Sequence, residues 1–338
     1  MASRFGLMAQ STRHSSLVQK LGFKGTDDPF FGAEDTLADE DANAVEEARD
    51  LALAYNALQE TILVSMTSFQ QVREITLSFI TNASPDFFEG LTDLPHLTCL
   101  NLYGASISRA STTRLLALRD FKLINLHQED FYPEVHVLSL ISGQNLRFLL
   151  LACFAQAPKF IKSIVQQGVS CPHLTDFKVR LSPLATVSFF EMLKLIPNLQ
   201  NLVIVNHELP DDFTTDDLHV SRDTIPQLAT YVGPESLALL LIPDRPVHII
   251  ALTPSRQEGL RKNTLRIFSQ SLSPLTELDL GGQLATAELF KEIAELFPSL
   301  SQLSIHVVEP PALTPDVLSY PVRIDKRFTF AKWLTPIV

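Results

Sequence analysis

Apolar residues recur along this chain in one repeated order: a helix-like stripe, a proline, then the spacing L-x-x-L-x-L. The order is clearest in FFEMLKLIPNLQNLVIV (Phe189–Val205) and returns at Leu289–Ile305, which ends in FPSLSQLSI. It also appears in LPHLTCLNL (Leu94–Leu102) and CPHLTDFKV (Cys171–Val179). A unit that repeats in this way predicts stacked strand–return modules, each able to bury its apolar face only against its neighbours. Ten strand starts can be read, at Val72, Leu97, Leu118, Leu146, Leu174, Leu199, Leu228, Val247, Leu275 and Leu300. Their spacings run from 19 to 29 residues, about the period of leucine-rich repeats. Alternate strand residues point to opposite faces, so the leucines enter the core and the residues between them line the other face. A parallel neighbour requires a crossover, so each strand must be followed by a return segment.

Three returns carry a helical stripe. Phe160, Ile161, Ile164 and Val165 precede Gly168, a C-cap position; Phe189, Phe190, Leu193 and Ile196 precede Pro197; Leu289, Phe290, Ile293, Leu296 and Phe297 precede Pro298. Proline ends a helix because it has no N–H to donate and its ring crowds the preceding turn. The units at Leu118, Leu228 and Val247 are weaker, and Gly233 stands where the third apolar residue of its unit belongs. The ninth position, commonly Asn or Cys in regular repeats, holds Ile80, Ala105, Phe154, Ser182 and His207. Without an asparagine ladder, backbone amides must be satisfied case by case. The predicted fold class is therefore α/β: an irregular leucine-rich-repeat solenoid with a curved parallel sheet inside and helices outside. Residues 1–42 read as a flexible acidic leader, 43–70 as a capping helix, 71–308 as the repeats and 309–338 as a capping tail. The capping helix rests on Val45, Ala48, Leu51, Tyr55, Leu58 and Ile62 at spacings of three and four.

Charge changes the picture for partners. The 338 residues carry a net charge of −11, which disfavours nucleic acid, whose phosphates call for a basic surface. Ten of the acids lie between Asp27 and Asp50, with Arg49 the single base there. No apolar run approaches the roughly 20 residues of a membrane-spanning helix. The N-terminus has no apolar signal core, and Cys99, Cys153 and Cys171 have neither zinc nor disulfide-framework spacing. A cytoplasmic or nuclear location is the expectation. The basic, acid-free first 25 residues offer mitochondrial import as the lesser alternative.

No nucleophile elbow, phosphate loop, dinucleotide fingerprint or zinc-helix motif is present, so no catalytic residue, cofactor or metal ligand is assigned. The densest polar cluster, His207 and Glu208 with Asp211, Asp212, Asp216 and Asp217, lacks the spacing of a calcium loop and reads as a solvated loop. The binding candidates follow from the repeat geometry instead. Asp120, Lys122, Phe148, Leu150, Asp176, Lys178, Arg180, Asn201 and Val203 fall between the core leucines of the central repeats, as do Ile124, Ala152 and Val205. Apolar residues rimmed by both charges are what a protein-binding face needs. LRFLLLACF is apolar on both faces, so Phe148 and Leu150 fit either an open contact surface or a strand covered on both sides.

The segment Ile225–Leu252, with Gly233-Pro234 and Pro243-Asp244-Arg245-Pro246-Val247, resembles a stretch of fungal F-box and leucine-rich-repeat-like proteins. The resemblance extends loosely from Val72 to Val308. It implies repeats that present substrates, and an N-terminal F-box that docks on a ubiquitin ligase scaffold. Nothing before Asn43 has the Leu-Pro-x-Glu start of an F-box. The expected function is a non-catalytic protein-interaction scaffold related to such adaptors. The alternatives are a fragment of an F-box protein, or an enzyme or regulatory subunit with an unrecognised site. Within the resembling stretch, Arg245 is expected to be structural, satisfying nearby carbonyls between two prolines that hold an extended strand entry.

Overall fold

The computed structural model describes residues 17–24, 57, 61, 65–66, 68–78, 90–104, 115–124, 141–152, 156–182, 185–205, 220–253, 260–261, 263–284, 286–306 and 323–324. The fold is α/β, built of parallel strands and helices, and the chain divides into two units, Met1–Val169 and Ser170–Val338. In the first unit the strands are β1 (Lys20–Lys24), β2 (Glu74–Ser78), β3 (Cys99–Tyr103), β4 (Asp120–Ile124) and β5 (Phe148–Ala152), each paired in parallel with the next. Helix α1 (Gln156–Gln167) follows.

The second unit repeats the plan with β6 (Asp176–Arg180), β7 (Asn201–Val205), β8 (Thr230–Gly233), β9 (Ile249–Leu252), β10 (Glu277–Leu284), β11 (Gln302–His306) and β12 (Arg323–Ile324). All neighbours among these are parallel. Its helices are α2 (Thr186–Lys194), α3 (Glu235–Leu241), α4 (Thr264–Phe268) and α5 (Ala287–Leu296).

Each of the ten expected starts is followed two residues later by a strand. The reason is visible in burial. In the unit that begins at Val72, Val72, Ile75 and Leu77 are each 0% exposed, and the triplets at Leu146, Leu174 and Leu199 are equally sealed. The residue after each start carries the turn. Its carbonyl accepts two N–H groups from the following repeat, as Arg73 O does from Thr98 N and Cys99 N, both at 2.9 Å. The same double acceptance recurs at Thr98, Arg119, Thr175, Gln200, Ala229, His248 and Thr276. This backbone rail supplies the order that the missing asparagine ladder would have given. Side chains add to it locally: Asn198 donates to the Pro172 carbonyl at 2.7 Å and accepts from Gln227 at 3.0 Å.

The three helical stripes face the core. Phe160 of α1 stacks on Phe121 of β4 at 6.0 Å, and Phe189 of α2 lies 6.1 Å from Phe177 of β6. Gly168 ends the α1 segment with φ +61°, as the C-cap reading required. Thr286 caps α5 by accepting the Leu289 N–H at 3.1 Å.

Gly233 is accommodated by the side chain of a neighbour in its own strand. Tyr231 two residues earlier is fully buried and its hydroxyl, donating to Pro234 O at 2.8 Å, fills the space of the absent side chain. A Cβ on Gly233 would stand 2.7 Å from that hydroxyl.

One expectation needs correction. The leader over 1–42 contains a strand, β1, whose Gln19 carbonyl accepts Arg73 N at 2.7 Å. The short KLGFK stretch carries too few apolar residues to announce itself, and pairing with β2 fixes it. Past Val308, within the segment read as a capping tail, the two-residue strand β12 pairs in parallel with β11. Most of the capping helix over 43–70, the 207–217 cluster and Trp333 lie outside the described residues.

Candidate functional site

The predicted face residues divide between the two units. In the first, strand alternation puts Asp120, Lys122 and Ile124 of β4 and Phe148, Leu150 and Ala152 of β5 on the face opposite the core. The register pairs Asp120 with Phe148 and Lys122 with Leu150. The Lys122 ammonium lies 5.7 Å from the centre of the Phe148 ring, within cation–π range. Phe148 and Leu150 are half-buried, between the two readings of them, whereas Ile124 is 2% exposed.

The same rows continue on β2 and β3, where the central-repeat reading did not look. Glu74 pairs in register with Cys99, and Cys99 with Asp120. Lys20 Nζ lies 2.5 Å from Glu74. Asn101 Nδ2 donates to Thr76 Oγ1 at 3.0 Å and to Glu74 Oε1 at 3.3 Å. Burial pushes the Cys99 thiol up to about 11, with the Glu74 and Asp120 carboxylates adding to the effect, so it stays protonated. Applying the repeat rule to the starts at Val72 and Leu97 would have named these residues.

In the second unit, Asp176, Lys178 and Arg180 lie on β6 and Asn201, Val203 and Val205 on β7, with Asp176 beside Asn201 and Lys178 beside Val203. Asn201 Nδ2 donates to Asp176 Oδ1 at 2.8 Å, and Thr175 Oγ1 donates to Oδ2 at 2.7 Å. Val203 departs from the expectation of an open face. It is 9% exposed and packs with Val232 and Ala251, with Val205 against them. Three small apolar side chains in one cross-strand row close over one another, which a reading confined to β6 and β7 could not anticipate.

Farther along that row, Asp279 of β10 accepts the Gly281 N–H at 3.0 Å where the strand bulges. Burial pushes its carboxyl above the ordinary value, and its bonds to Gly281 and Ser304 offset this only in part. A carboxyl with a raised folded pKa binds its proton more tightly in the fold. Asp279 therefore subtracts stability as pH rises from the unfolded value, ordinarily 3.8, through the folded one. Asp279→Asn keeps an acceptor for Gly281 and removes the buried charge. The variant is expected to be the more stable at pH 7, with the advantage vanishing once both states of the parent are protonated. Urea midpoints of the two proteins across pH would show it, and a parent more stable at pH 7 would refute it.

Among the described residues no group of three or more His, Cys, Asp and Glu is placed to hold a metal ion. Nor is any described helix long and apolar enough to cross a membrane. No family model and no curated protein matches the sequence. The function therefore has to be argued from the face itself.

Proposed function

We propose that the chain is a leucine-rich-repeat solenoid acting as a non-catalytic protein-binding scaffold, of the kind F-box adaptors use to present substrates to a ubiquitin ligase. The observation that carries the reading is the β4–β5 patch. Phe148 and Leu150 stand half-buried in register beside Asp120 and Lys122, and the cation of Lys122 rests near the Phe148 ring. An apolar centre with a charged border is the composition that gives affinity and register in protein interfaces. The strands under the patch are pinned by fully buried Phe121, Leu149 and Leu151, so its side chains are presented on a rigid support.

A photoreactive phenylalanine analogue at Phe148 tests this in native extract, with the same analogue at Val187, which is 68% exposed on α2, as control. Discrete protein adducts at Phe148 and none at Val187 are expected. Ligase scaffold subunits among the co-purifying proteins would mark the adaptor role, and their absence a free-standing recognition module. Equal adduct patterns at the two positions would refute the scaffold reading.

A further inference from the structure

Strands β4 and β6 open with the same three residues at the same repeat position, Asp120-Phe121-Lys122 and Asp176-Phe177-Lys178. The two phenylalanines do the same work, each fully buried against a helix phenylalanine, Phe160 and Phe189 respectively. The charged residues fare differently. In β6 both carboxylate oxygens of Asp176 are occupied, Oδ1 by Asn201 at 2.8 Å and Oδ2 by Thr175 at 2.7 Å. Lys178 is engaged as well.

Around Asp120 the equivalent places are held by Arg119 instead of Thr175 and by Phe148 instead of Asn201. Among the described residues the Asp120 carboxylate accepts no hydrogen bond and forms no ion pair, with Arg119 or Lys122 included. The Lys122 ammonium lies near the Phe148 ring and forms no ion pair either. Both residues are half-buried, so each charge has given up part of its water with no opposite charge in return. The other described acid of that face, Glu74, is held by Lys20 and Asn101. One tripeptide is thus satisfied within the fold in β6 and is not in β4.

We propose that Asp120 and Lys122 set the register of the protein-binding face, resting on that reading, and that the partner presents an extended segment of opposite pattern: a basic residue, one spacer and an acidic residue. Same-side residues two apart on a strand stand about 7 Å apart, and the spacing is the same in an extended ligand, so both contacts form together. The basic residue meets Asp120 and the acidic one meets Lys122. An apolar residue beside them rests on Phe148 and Leu150, which lie next to the charge pair in register. A segment of one sign gains at one residue and loses at the other. A second copy of the chain carries the pattern in its own Asp120 and Lys122, but it sets a net charge of −11 against −11, which favours a different protein.

The test immobilises the full chain and passes over it pools of short peptides whose apolar residues vary around a fixed charged centre. The centres are Arg-x-Glu in both orders, Arg-x-Arg and Glu-x-Glu. The parent is expected to retain the mixed pool about fivefold over either like-charged pool. Lys122→Glu should move the preference to Arg-x-Arg, and Asp120→Lys should move it to Glu-x-Glu. Lys194→Glu on α2, an exposed position of the second unit, should leave it with the mixed pool. Where circular dichroism shows that a reversal does not fold, Asp120→Asn with Lys122→Gln carries the test, and its preference should vanish. A parent without preference, or preferences that do not follow the charges, would overturn the proposal. A dimer in sedimentation that Lys122→Glu dissolves would overturn it in favour of self-association. Crosslinking at Phe148 reads the face separately. Adducts there without a pool preference sink the charge pair and keep the face, and a charge-following preference without adducts does the reverse.

Discussion

Arg245→Ala is expected to destabilise the second unit by about 3–5 kcal/mol, among the largest effects of any single substitution in the chain. Arg245 is 1% exposed and is the largest fully buried side chain among the described residues. Its donors reach four carbonyls: Nε to Thr224 at 3.0 Å, Nη1 to Pro243 at 3.0 Å and Leu240 at 3.4 Å, and Nη2 to Ser221 at 2.8 Å. Removing the fork strands those carbonyls and opens a cavity in the same step. Burial lowers the guanidinium's pKa, with the Asp244 carboxylate acting against it, and the group still carries its charge because the intrinsic value is so high.

The clamp also restrains a strained turn. Ile225 holds φ +50°, a conformation that a β-branched residue resists, and the carbonyls of Ser221 and Thr224 immediately before it are two of the four that Arg245 binds. Arg245→Lys should recover little, since a single ammonium nitrogen replaces the three guanidinium nitrogens that reach the four carbonyls. Urea denaturation measures the loss. Hydrogen exchange at Val247 and Leu272, whose amides both donate to the Arg245 carbonyl, locates it. A variant within about 1 kcal/mol of the parent would show that the carbonyls find other donors.

Gly281→Ala should cost about 3 kcal/mol or more, whereas Gly168→Ala should cost about 1 kcal/mol. Both glycines have φ +61°, so the conformational penalty is common to the two. The surroundings differ. A Cβ on Gly168 meets nothing within 4 Å, while one on Gly281 would stand 2.2 Å from the backbone oxygen of Leu252. That carbonyl cannot move aside freely, because the next residue, Thr253, donates its N–H to Gly233 O at 2.8 Å. Thermal unfolding of the two variants side by side separates the steric part from the conformational part. Equal losses would mean that the β10 bulge yields without resistance.

The contrast between these two glycines shows how far sequence reading reached. Gly168 follows an apolar helical stripe, and its role as a helix end is written locally. Gly281 sits in ELDLGGQL, where nothing nearby in sequence announces the Leu252 carbonyl. The same division runs through the candidate site. The pairing of Asp120 with Phe148 and of Lys122 with Leu150 follows from counting two and four residues on from each repeat start, because strand alternation is a local rule. The burial of Val203 does not follow, because it depends on Val232 and Ala251, which belong to other repeats.

The sequence by itself determined the period, the ten strand starts, the inward triplets and the three main helical returns. It also placed Arg245 as a partner for carbonyls. Each of these is imposed by spacing along the chain and by the need to bury apolar side chains. Only the tertiary structure decided that Lys20–Lys24 joins the sheet and that Val203 is covered by Val232 and Ala251. These depend on which residues meet across a repeat boundary, and pairing between strands distant in sequence carries no periodic signal of its own.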